Sequence, residues 1–155
     1  MKVTQYSEGC GALISDIQLA DLSVTQLADL RTIFAKHGLL FFRDQDFSPQ
    51  DHLQFAQRFG SIVVNKFFRA TEQFPEIAEV RKEKEQQTNI GGGWHTDHSY
   101  DDIPAMGSIL VARKLPETGG DTQFANLANA YDALSPQIKS RIENLRAVHS
   151  NKHLY

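Results

Sequence analysis

Gly91-Gly92-Gly93-Trp94-His95-Thr96-Asp97-His98-Ser99-Tyr100 is the stretch on which the reading of this chain turns. The three glycines lack the Lys-Ser/Thr of a phosphate loop, so they serve to let the backbone bend. In an extended segment side chains alternate, and His95 and Asp97 then project to one face with Cα atoms about 6–7 Å apart. Such a pair can converge on one ion. A neutral imidazole and a carboxylate suit a divalent first-row metal. A second histidine from elsewhere would complete the two-histidine, one-carboxylate facial triad whose open positions suit O2-activating iron. Trp94 opposes the ligand face and reads as a core residue, and His98 points away from Asp97 if the strand is regular. A His-x-Asp pair alone is common, so its surroundings decide.

Upstream, Ser23 with Gln26 three residues on makes a capping box, and Val24, Leu27, Leu30 and Phe34 recur at helical spacing until Gly38. This predicts an amphipathic helix over 23–37. Leu39-Leu40-Phe41-Phe42 is short and apolar on both faces, which predicts a strand buried on both sides near the centre of a sheet. Ser48 before Pro49, with Leu53, Ala56 and Phe59 on one face and Gly60 as the stop, predicts a second helix over 49–59. Weaker patterns suggest strands at 62–64 and 76–80, followed by a solvated charged loop at 81–87. Phe67-Phe68 read as core residues or pocket lining.

Downstream, 107–112 is apolar and strand-like, 115–120 is a Pro- and Gly-bearing turn, and 121–124 re-enters extended structure. Ser135-Pro136 caps a further helix to about Asn144. No repeat, low-complexity segment or linker composition divides the chain, which reads as one unit or part of one.

With 155 residues and 41% hydrophobic composition, the chain can build a core. Sixteen basic against nineteen acidic residues give a net charge of −3 without a basic stripe, which argues against nucleic acid as a partner. Neither a signal-peptide pattern in residues 1–11 nor a membrane-length apolar run is present, so the expected location is the cytoplasm, away from membranes. The lone Cys10 excludes an internal disulfide, and one cysteine beside six histidines excludes a cysteine-based zinc module.

Six blocks together give a specific resemblance. Phe41-Phe42-Arg43-Asp44-Gln45, Ala56-Gln57-Arg58-Phe59-Gly60, Trp94-His95-Thr96-Asp97, Pro104-Ala105-Met106-Gly107-Ser108-Ile109-Leu110, Gly119-Gly120-Asp121-Thr122 and Ala130-Tyr131-Asp132-Ala133-Leu134 match, in order and spacing, the N-terminal half of taurine dioxygenase relatives. The chain thus resembles the taurine dioxygenase (TauD/TfdA) family of Fe(II)/2-oxoglutarate-dependent dioxygenases. The resemblance implies an α+β, mainly β fold: a partial double-stranded β-helix (jelly roll, cupin-like) with flanking helices. It implies Fe(II) as cofactor, held by His95 and Asp97, with 2-oxoglutarate and O2 as cosubstrates and Thr122 on a 2-oxoglutarate carboxylate. The implied activity is hydroxylation of a small anionic organic substrate, such as a sulfonate or sulfate ester, with release of succinate and CO2.

The same resemblance puts Asn65 where taurine-using relatives place a sulfonate-contacting histidine and Gly91 where they place an asparagine, so taurine itself is not the expected substrate. It sets His98 at the border of the substrate pocket, with Asn65 and Phe68 as further substrate-binding candidates. Family members continue for about as many residues again, to a distal histidine ligand and an arginine that pairs with 2-oxoglutarate. Residues 1–155 therefore read as a single, apparently truncated dioxygenase domain. Neither His149, in a family-like stretch that binds no metal, nor His153 is expected to replace the missing ligand. A homo-oligomer is left open. Two alternatives stand beside this reading: a non-catalytic truncated remnant, and a zinc-dependent hydrolase using His95, Asp97 and His98, which residues 86–94 weaken by offering no further upstream histidine.

Overall fold

The computed structural model describes residues 1–65, 67–89 and 91–151. These form mixed small sheets and helices, arranged in two compact units.

The first unit comprises Met1–Phe47 and Ala112–Arg146. Strand β1 (Lys2–Gln5) pairs antiparallel with β2 (Ala12–Ser15), and β2 pairs parallel with β3 (Leu40–Phe42). Parallel neighbours need a crossover, and helix α1 (Val24–His37) supplies it. The capping box at Ser23 and Gln26 is present, and Gly38 ends the helix in the left-handed region at φ +69°, donating its N–H to Phe34. Of the apolar row on α1, Leu30 is fully buried while Val24, in the first turn, is exposed. Leu30 joins Ala12, Ile14, Leu19, Leu22 and Phe47 in the core.

The expectation of a central strand at 39–42 is corrected. Strand β2 lies between the other two, and all three residues of β3 are half-buried. The sequence reading missed both β1 and β2, whose four residues each carry too little pattern to announce a partner. Gln45 explains part of the Phe-Phe-Arg-Asp-Gln block. Its Oε1 accepts from Leu19 N–H at 2.9 Å, and its Nε2 donates to the carbonyls of Ile17 and Arg43 at 3.0 and 2.8 Å. One side chain thus satisfies three backbone groups in two loops that have no ladder of their own.

Helix α2 (Pro49–Phe59) opens the second unit, which comprises Ser48–Val111 and residues from Ala147 onward. Ser48 and Asp51 form a reciprocal capping box, and the bonds from Ser48 hold the Asp51 carboxyl below its ordinary 3.8. The buried residue of α2 is Phe55, not the Leu53, Ala56 and Phe59 row of the sequence reading; its ring meets that of Phe59 at a tilt of 60°, with centroids 5.1 Å apart. His52 Nε2 approaches the Ile109 carbonyl at 3.2 Å, tying α2 to the 104–110 block. Strands β4 (Arg69–Ala70) and β5 (Ala78–Glu79) form a short antiparallel ladder, shorter than the 76–80 expected. The charged run at 81–87 is a largely exposed loop, with Arg81 paired to Glu83 at 2.6 Å.

Segments 62–64, 107–112 and 121–124 are not strands. Apolar composition marks which residues avoid water but does not supply a neighbouring backbone, and none of the three has a ladder partner among the described residues. In the first unit, helix α3 (Leu127–Asp132), capped by Asn126, was missed in sequence, and α4 (Pro136–Ile142), capped by Ser135, ends two residues before the expected Asn144. Among the described residues no helix is long and apolar enough to cross a membrane.

Candidate metal centre

Residues 91–101 run without a ladder, and turn and side-chain bonds set the local geometry. Gly91 adopts φ +65°, and a Cβ there would stand 3.1 Å from His95 Cε1; the bend therefore permits close approach to the imidazole. His95 Nδ1 lies 2.8 Å from the Gly93 carbonyl. A carbonyl only accepts, so Nδ1 carries the hydrogen, and in the neutral ring Nε2 holds the free lone pair.

That Nε2 faces Asp97 Oδ1 at 3.3 Å. Two acceptors this close repel unless a proton or a cation lies between them. Metal–ligand bonds of about 2.1 Å at a right angle place adjacent donors roughly 3 Å apart, close to the separation here. Fixing of the ligand tautomer through the other ring nitrogen is the usual outer support of a metal-binding histidine. The donor set therefore fits a divalent metal as two ligands of a larger set. Both side chains are more than half exposed, at 57% and 62%. Among the described residues no group of three His, Cys, Asp or Glu side chains is placed to hold an ion. His153 lies outside the described residues.

Ser108 Oγ donates to Asp97 Oδ2 at 3.4 Å, bringing in the 104–110 block. Thr96 Oγ1 donates to Ser99 Oγ at 2.7 Å, and His149 Nδ1 lies 2.9 Å from that same oxygen. Sequence reasoning missed Ser108, Ser99 and His149 as partners, because no local spacing links 97 to 108 or 99 to 149.

Two expectations about this stretch are corrected. Trp94 is 73% exposed, not a core residue, since the segment has no sheet beneath it. The regular strand assumed through His98 breaks there: His98 adopts φ +55°, its carbonyl accepts from Asp101 N–H at 3.0 Å, and its Nδ1 meets Asp101 Oδ2 at 2.9 Å. His98 is half-buried, with its ring 6.0 Å from that of Tyr100, which in turn meets Phe67 edge-on at 6.3 Å.

Asn65 Oδ1 accepts from the N–H groups of Phe67 and Phe68 at 2.8 and 3.2 Å, an Asx turn that leaves the Asn65 amide NH2 outside these bonds. Phe68 is half-buried. Asn65, Phe68 and His98 share the second unit with His95 and Asp97, whereas Thr122 belongs to the first, exposed, just after Gly119 and Gly120 at φ +75°.

A mixed α and β chain with a histidine–carboxylate pair of this geometry is a candidate mononuclear metal protein. The chain belongs to the family described as Taurine catabolism dioxygenase TauD, TfdA family, whose model matches residues 2–155. It is 32% identical over 143 residues to the (S)-phenoxypropionate/alpha-ketoglutarate-dioxygenase of Sphingobium herbicidovorans, covering 90% of this chain and 50% of that protein. An alkylsulfatase of Acinetobacter baylyi is 36% identical over 147 residues, covering 94% of this chain and 45% of that one. Among solved structures, AAD-2 in complex with Mn(II) and N-oxalylglycine aligns with a TM-score of 0.74 at 29% identity, over 94% of this chain and 50% of that chain. The chain spans about half the length of the curated relatives it matches.

Proposed function

We propose that this chain contributes to an Fe(II)/2-oxoglutarate-dependent dioxygenase that hydroxylates a small anionic organic substrate and releases succinate and CO2. The observation that carries this reading is the approach of His95 Nε2 to Asp97 Oδ1 with the far side of the imidazole tied to Gly93. His95 and Asp97 would hold the iron, and the Thr122 hydroxyl a 2-oxoglutarate carboxylate. When bound, iron with 2-oxoglutarate and O2 supplies the oxidising power for C–H hydroxylation. In this reading residues 1–155 belong to a single dioxygenase domain, a partial jelly roll with flanking helices, working in the cytoplasm. Support comes from the family match along nearly the whole chain.

The chain's own residues bind and orient. Gly93 fixes the His95 ring, Ser108 holds the distal oxygen of Asp97, and the Asx turn of Asn65 turns its amide NH2 away from the backbone it caps. That amide, with Phe68 and His98, suits a substrate joining an apolar body to a carboxylate, sulfonate or sulfate. The named activities of the relatives, on phenoxypropionate and alkyl sulfates, support that class. Anaerobic addition of Fe(II) and 2-oxoglutarate to the protein should give the weak visible charge-transfer band of a chelated site, lost in His95→Ala. A protein that binds Zn(II) and hydrolyses esters without O2, showing no such band, would overturn the reading.

A further inference from the structure

We propose that His149 is a positioning residue for the metal-binding turn, fixing through Ser99 and Thr96 the backbone on both sides of Asp97. The inference rests on the reading of His95 and Asp97 as metal ligands. Ser99 Oγ already accepts from Thr96 Oγ1 at 2.7 Å, so its own hydrogen is available to His149 Nδ1 at 2.9 Å. The resulting relay runs from Thr96 to Ser99 to His149, with the imidazole hydrogen on Nε2.

Thr96 precedes Asp97 and Ser99 follows it by two residues, so their bond closes a small loop around the carboxylate. His149, fifty residues later, ties that loop to the 147–151 segment. Within the loop, His98 is held at φ +55°, a conformation that is uncommon for a residue with a Cβ. No ladder passes through 94–101; the backbone bond from Asp101 N–H to the His98 carbonyl and the side-chain bonds of His98 and Ser99 hold the turn together.

The test compares His149→Ala, His149→Asn and Ser99→Ala by amide exchange in the metal-free chain and by Co(II) titration. An asparagine keeps a polar atom near the position of Nδ1. His149→Ala and Ser99→Ala should speed exchange across residues 96–101 and weaken Co(II) binding by roughly two- to fivefold, less than losing a direct partner of a metal ligand. His149→Asn should restore both. Exchange and affinity unchanged in His149→Ala and Ser99→Ala, beside His95→Ala that no longer binds Co(II), would overturn this inference alone. Undiminished Co(II) binding in His95→Ala would overturn the metal reading and this inference with it.

Discussion

Ser108 Oγ donates to Asp97 Oδ2 at 3.4 Å, while the other carboxylate oxygen of Asp97 faces His95 Nε2 at 3.3 Å. The two oxygens are thus differentiated by the serine, eleven residues away on a segment that α2 also holds through His52 and Ile109. Outer partners of metal ligands typically matter by about 10- to 100-fold in affinity, and a bond this long belongs at the lower end of that range. Ser108→Ala should therefore weaken Co(II) binding by several-fold to about tenfold. Equal affinity in calorimetric titration of wild type and Ser108→Ala would remove Ser108 from the site.

Gly91 admits no side chain without cost. At φ +65° a Cβ is strained by about 1–2 kcal/mol, and it would press on His95 Cε1 at 3.1 Å. Gly91→Ala should lower both thermal stability and metal affinity. Gly91→Asn should recover part of that loss, since asparagine tolerates the left-handed region. Wild-type metal affinity in both variants would show that the His95 ring does not depend on the open space at residue 91.

The carboxyl of Asp51 is held below its ordinary value by the bonds from Ser48. A carboxyl depressed in the folded state contributes stability above its unfolded pKa and loses it as pH falls through the lower folded pKa. The Ser48 cap should accordingly weaken as pH drops below about 3.8. Thermal unfolding of wild type and Asp51→Asn, followed from pH 6 downward, should show a difference that shrinks in acid. A difference that grew in acid would contradict the sign.

Leu30 is fully buried on α1, whereas Val24, in the first turn of the same helix, is exposed. Leu30→Ala should cost about 2–5 kcal/mol, and Val24→Ala should stay within about 0.5 kcal/mol. Chemical denaturation measures both, and equal losses would place the helix on a different face.

Local grammar was legible and long-range pairing was not. Ser23 with Gln26, Ser48-Pro49 and Ser135-Pro136 located three helix starts, because caps are made by residues within one turn of each other. The convergence of His95 and Asp97 followed from their separation of two residues. Strand β2 escaped because Ala12-Leu13-Ile14-Ser15 becomes a central strand only through β1 and β3, the latter reached across α1. Trp94 was misread for the related reason that alternation defines a face only if a sheet exists to own it. The bond between His149 and Ser99 spans fifty residues, and nothing in either tripeptide marks it. The six family blocks contain the candidate ligands and Ser108, but neither Ser99 nor His149.

Whether His95 and Asp97 hold a metal is decided by titrating a divalent metal into the wild-type protein, His95→Ala and Asp97→Ala. The wild type should show a single site, with the imidazole Nε2 resonance of His95 perturbed by the metal, and both variants should lose that site. Binding of equal strength in all three proteins, or a metal that leaves the His95 resonances unmoved, would contradict it.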